Sequence, residues 1–136
     1  SMLVPVIETH LPVDLTILML GSNDLKQRYS PTPEKIADSL YRLSHITLEM
    51  TQAPVLLVSP IHLGPQIIGP TFSAESVEVS RQLAPAIREK AEKLGIHFMD
   101  AAEYVEPSPS DGLHLSPEGH EKLADAFYNK ILEILK

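Results

Sequence analysis

The sequence has no cysteine. Disulfides, thiolate zinc sites and cysteine nucleophiles are therefore excluded. Basic residues are in the minority: 11 Lys and Arg stand against 18 Asp and Glu, for a net charge of -7. Nucleic acid is not an expected partner, because phosphate backbones select clustered Lys and Arg. Anionic membrane surfaces are disfavoured for the same reason. No apolar run approaches the ~20 residues needed to span a bilayer. The opening stretch "SMLVPVIETHLP" lacks a basic leader followed by an apolar segment, so a cytoplasmic location is expected. Two short motifs are missing as well. No HExxH pair signals a metal site, although His120 follows six residues after His114. No GxSxG elbow surrounds Ser22 or Ser59.

What remains is an ordinary globular composition, 43% hydrophobic and 21% charged, over 136 residues. That length is expected to form one domain, residues 1–136, whose core takes up roughly two-thirds of the unfolded surface. There are no repeats and no internal linker.

"VDLTILML" (13–20) is a near-continuous apolar run that stops at "GSND", the pattern of a buried parallel strand. Thr32 and Pro33 then open a helix, and Ile36, Leu40, Leu43, Thr47 and Met50 form its apolar face. "APVLLVSP" (53–60) is a second strand, followed by a loop over 61–73 with two Gly-Pro pairs. A helix spans 74–94 with Leu83, Ile87, Ala91 and Leu94 inward; Pro85 should kink or divide it, and Gly95 stops it. "IHFMDA" is a third strand. Ser116 caps the last helix, whose stripe is Leu123, Phe127, Ile131 and Leu135. Strands alternating with helices imply an α/β fold with a parallel sheet. In such sheets ligands gather at the C-terminal strand ends. "GSND", "SPIHLGP" and "DAAEYVEPSPSDGLH" all follow strands there.

Asn23 would present an amide at that edge, suited to stabilising an oxyanion. On the tetrapeptide alone an Asx-turn is the simpler reading. Asp111 and His114 stand three apart on a Gly-bearing turn before a helix. They can act as a general base with a carboxylate that fixes its tautomer, or as solvated turn residues. Lys26 is either solvated or borders a pocket, and Leu113 is a candidate pocket wall. His10, His45, His62 and His97 are scattered core or surface residues by default.

"LMLGSNDLK" followed by "DGLHLSPEGH" resembles the third and fifth sequence blocks of the SGNH (GDSL-type) serine hydrolases. "THLPVDLTILMLGSNDLK" and "VLLVSPIHLGP" are similar to the arylesterase and acyltransferase branch. The resemblance implies a flavodoxin-like three-layer α/β/α sandwich, here incomplete with about three strands. It implies a short-acyl ester as the small-molecule substrate, a Ser-His-Asp mechanism and no cofactor or metal. By position, His114 would be the base, Asp111 its carboxylate and Asn23 an oxyanion donor. Ser22, Lys26 and Leu113 would lie near the acyl pocket.

The departure is the nucleophile. The family's serine lies in a "GDS" block, and no "GDS" occurs in this sequence; the glycine-bearing second block is missing too. The chain therefore reads as the C-terminal two-thirds of such an enzyme and is expected to be inactive alone. A separate N-terminal piece could complement it. The absent neighbour would leave strand 13–20 as an apolar edge, which predicts a homo-oligomer joined along it. The alternative function is a non-catalytic binding or assembly module derived from a hydrolase domain. A generic flavodoxin-like binding domain ranks last, because "GSND" has too little glycine for a phosphate cradle.

Overall fold

The structure is a computed structural model, and it describes residues 13–19, 25–26 and 29–136. Among these residues three parallel strands form one sheet in the order β1 (Thr16–Met19), β2 (Val55–Ser59), β3 (His97–Asp100). The α-helices among the described residues are α1 (Pro33–Thr51), α2 (Ala74–Leu94) and α3 (Pro117–Leu135). Single 3-10 turns occur at Pro65–Ile67 and Ala101–Glu103. No helix among the described residues is long and apolar enough to cross a membrane.

The expected strand 13–20 is shorter than its apolar run. Its ladder opens where Thr16 N–H donates to Pro54 O at 3.0 Å, and pairing starts at Thr16 with Val55. Residues 13–15 precede that point and make no strand, and residue 20 lies outside the described residues. β2 is buried at every position, which is why it reads as an unbroken apolar run rather than an alternating one.

The helix ends follow their capping chemistry. Thr32 accepts from Lys35 N–H at 3.1 Å and Ser116 from Gly119 N–H at 3.1 Å, each followed by Pro at the first helical position. Ser73 and Ser76 form a reciprocal capping box on α2. Gly95 closes α2 with φ 65°. Pro85 does not divide α2, which runs unbroken through it. Arg81 and Pro85 are both exposed, so the carbonyl that loses its partner lies on the wet side of the helix.

Strand order advances in one direction, so two crossovers of the same hand put α1 and α2 on one face of the sheet. There Leu40, Leu57, Leu63, Leu83 and Ile87 form the larger core with exposures of 0–1%. The apolar face of α1 is narrower than its Leu and Met suggest: Ala37 and Ser44 are buried, while Leu43 and Met50 are only half-buried. α3 covers the other face through Leu123, Phe127 and Ile134, which pack on Leu56, Val58 and Met99. Ile134 takes the inward place expected for Leu135, which is 51% exposed. The result is three layers, helix, sheet and helix.

Candidate active site

After β3 the chain makes one 3-10 turn, with Asp100 Oδ1 accepting from Ala102 N–H at 3.0 Å. It then runs as a loop to the cap of α3, and this loop carries the dyad. Asp111 is held by its own neighbours. Its Oδ1 accepts from Leu113 N–H at 2.9 Å and from His114 N–H at 3.0 Å. Its Oδ2 lies 2.7 Å from His114 Nδ1. The Asx-turn and the carboxylate–imidazole pair thus coexist: one oxygen makes the turn, the other faces the ring.

This arrangement sets the electrostatics. The Leu113 N–H first, then the His114 ring and the His114 N–H, lower the Asp111 pKa from 3.8 to about 2, with partial desolvation opposing them. Asp111 is therefore a carboxylate at neutral pH and can only accept. Neutral His114 must then carry its proton on Nδ1, which leaves Nε2 as the acceptor. Nε2 has no hydrogen-bond partner among the described residues, and the His114 side chain is 75% exposed. The pair is an oriented, accessible base.

The loop is closed by main-chain bonds. Ser108 N–H donates to His114 O at 2.7 Å, and Gly112 N–H donates to Ser108 O at 2.9 Å. Gly64, in the loop after β2, donates its N–H to Gly112 O at 2.8 Å. Beside this junction His62, Gln66, Arg81, Val105 and Glu106 line a cleft of about 350 Å³ between the two loops.

The other sequence candidates fall as follows. Leu113 is half-buried and packs against the larger core, anchoring the loop between the two polar residues. Lys26 is half-buried beside Leu25, which is 1% exposed in that core. Ser22 and Asn23 lie outside the described residues. Among the described residues no three His, Cys, Asp or Glu side chains group as metal ligands. Sequence reasoning missed Ser108 and Gly64. Ser108 acts through a backbone N–H and C=O that every residue but proline has, and Gly64 carried only the general signal of a Gly-Pro turn.

Comparison with known proteins agrees with this architecture. A model of the GDSL-like lipase/acylhydrolase family matches residues 4–122. Among solved structures, Est24, a carbohydrate acetylesterase from Sinorhizobium meliloti, is 28% identical with a TM-score of 0.90, over 97% of this chain and 66% of its own. The inhibitor-bound M. smegmatis aryl esterase is 28% identical with a TM-score of 0.91, over 99% and 67%. Another solved chain is 34% identical with a TM-score of 0.93, over 98% and 65%. The chain thus spans about two-thirds of the length of these relatives. No curated protein matches it.

Proposed function

Because the chain belongs to the GDSL-like lipase/acylhydrolase family, we propose that it carries the acid–base half of a serine ester hydrolase. The observation that carries this reading is the 2.7 Å approach of Asp111 Oδ2 to His114 Nδ1, with Nε2 unpartnered among the described residues. His114 Nε2 takes the proton of a serine hydroxyl as that oxygen attacks the ester carbonyl. Asp111 holds the tautomer and stabilises the imidazolium. The Asn23 side-chain N–H donates to the oxyanion of the tetrahedral intermediate. The imidazolium then protonates the leaving alkoxide; a water that gives its proton to His114 attacks the acyl carbonyl, and the serine oxygen takes that proton back from His114 as the carboxylic acid leaves. Ser22, Lys26 and Leu113 border the acyl group. The relative named as a carbohydrate acetylesterase favours a short acyl chain.

The serine has to be supplied from outside these 136 residues, since no "GDS" occurs among them. Loss of the nucleophile in a comparable triad costs on the order of 10⁶ in turnover. The chain alone is therefore expected to give no adduct with a fluorophosphonate probe, read by intact mass, and no ester turnover that depends on His114. Adding a segment that bears the "GDS" block should restore both, and His114→Ala should abolish them again. An adduct on the chain alone, lost in His114→Ala, would place the nucleophile within it and overturn this part of the reading. Restored turnover indifferent to His114 would overturn the base.

A second reading is an assembly module that pairs along β1. It is supported by the place of β1 at the end of the sheet, where one side of its backbone has no neighbouring strand among the described residues, and Ile17 and Met19 add exposed apolar area on the adjoining face. Light scattering tests it: a homo-oligomer is expected, and a monomer at every concentration would remove it.

A further inference from the structure

The loop bearing the dyad is fastened to the loop after β2 where two glycines meet. Gly64 N–H donates to Gly112 O at 2.8 Å. A Cβ on Gly112 would stand 2.8 Å from Gly64 O and 3.1 Å from its carbonyl carbon. Those are backbone atoms, which cannot turn aside as a side chain can. A Cβ on Gly64 would meet Gly112 Cα at 3.0 Å and run into Gln66 Oε1. Gly112 cannot gain a side chain without parting the two loops, and one on Gly64, once Gln66 has turned aside, would press them apart by a few tenths of an ångström.

Gly95 shows what a glycine needed only for its backbone angle is like. Its φ is 65°, close to the 69° of Gly112, but nothing lies within 4 Å of its added Cβ. Gly112 combines the same conformation with a contact that excludes all other residues.

The position of Gly112 makes this contact relevant to the base. It lies between Asp111 and the two N–H groups, of Leu113 and His114, that hold Asp111 Oδ1. Ser108, bonded to Gly112 on one side and His114 on the other, closes the same ring. Moving Gly112 by a few tenths of an ångström displaces those donors, and with them the carboxylate oxygen that faces His114 Nδ1.

We propose that the Gly64–Gly112 clasp is a positioning element for the dyad: it holds the loop so that Asp111 meets Nδ1 of His114 and Nε2 stays unprotonated. This rests on the reading of His114 as the base, and the two are separable by experiment. The tautomer of the His114 ring is read by long-range proton–nitrogen NMR on the whole chain, at a pH where the ring is neutral. The native chain should show the Nδ1–H tautomer alone. Gly112→Ala should convert it to a mixture. Gly95→Ala, which has the backbone strain without the contact, should leave it unchanged.

Gly64→Ala with Gln66→Ala removes the flexible obstacle and retains only the pressure on Gly112 Cα. It should give an intermediate mixture, and it decides the matter if Gly112→Ala does not fold. A native chain that already shows a mixture would overturn the base reading itself. A native chain with one tautomer, unchanged in the folded clasp variants, would overturn the clasp alone.

Discussion

The two faces of the sheet are built differently. The α1/α2 face buries Leu40, Leu57, Leu63 and Ile87 to 0% exposure, and it closes around serines as well. On the α3 face the helix reaches Leu56, Val58 and Met99 but leaves Ile17, Met19, Leu132 and Leu135 39–51% exposed. The register explains the strand residues: Ile17 and Met19 pair with Leu56 and Val58 and so share the α3 side, where the helix covers β2 and β3. Two crossover helices seal one side of three strands. One helix does not seal the other.

Core truncation should display this asymmetry most strongly. Leu83 on α2 is 1% exposed in the larger core. Leu83→Ala should cost about 2–5 kcal/mol, through lost burial and the cavity left behind. Phe127 on α3 is only half-buried. Phe127→Ala should cost about 1–2 kcal/mol, scaled from area already partly in contact with water. Chemical denaturation of both variants compares the faces directly. An equal or larger loss at Phe127 would mean that the α3 face is sealed in solution.

A smaller effect of opposite sign is expected at Ser44. It is 0% exposed on α1, and its hydroxyl has no hydrogen-bond partner among the described residues. The other buried helix serines are satisfied: Ser80 Oγ donates to Val77 O at 2.6 Å and accepts from Leu63 N–H at 3.0 Å. An unpaired buried hydroxyl costs about 1–3 kcal/mol. Ser44→Ala removes that cost with a minor loss of volume, so it should raise stability by about 1 kcal/mol. Ser80→Ala, which orphans Leu63 N–H, should lower it.

The dyad belongs to neither face, and its contribution depends on pH. Asp111 has a folded pKa depressed to about 2 from 3.8. Its stabilisation is complete above the unfolded value and is lost as pH falls through the folded one. The stability of the native chain should therefore decline between about pH 4 and 2 more than that of Asp111→Asn. The difference is small because both side chains meet solvent, 75% exposed at His114 and 42% at Asp111, and parallel profiles would show that the contacts holding Asp111, the Leu113 N–H foremost, are not formed.

The sequence made the elements legible because their signals are local. The caps at Thr32 and Ser116 and the limits of α2 follow from residues a few positions apart, and "DGLH" carries its own turn. What could not be read is what depends on contact at a distance. The rotation of α3 that selects Ile134 over Leu135 is set by the sheet beneath it. The burial of Ala37 and Ser44, beside a half-buried Leu43 and Met50, is set by which side of α1 packs on α2 and the sheet. The meeting of Gly64 and Gly112 exists only once β2 and β3 lie side by side.

The smallest effects test whether the open face is open in solution, and β1 alone suffices for it. Leu18 pairs with Leu57, is half-buried and faces the larger core, while its neighbours Ile17 and Met19 face the other way. Leu18→Ala should cost about 1–2 kcal/mol. Ile17→Thr and Met19→Ser should each change stability by less than about 0.5 kcal/mol, as exposed substitutions do. Thr retains the strand preference of Ile, so the first change isolates hydrophobicity from backbone propensity. If instead either substitution costs as much as Leu18→Ala, the face is covered. A midpoint of denaturation that rises with protein concentration, and loses that dependence in Met19→Ser, would identify the cover as a second copy of the chain. A large cost without concentration dependence would mean that the cover belongs to the same molecule.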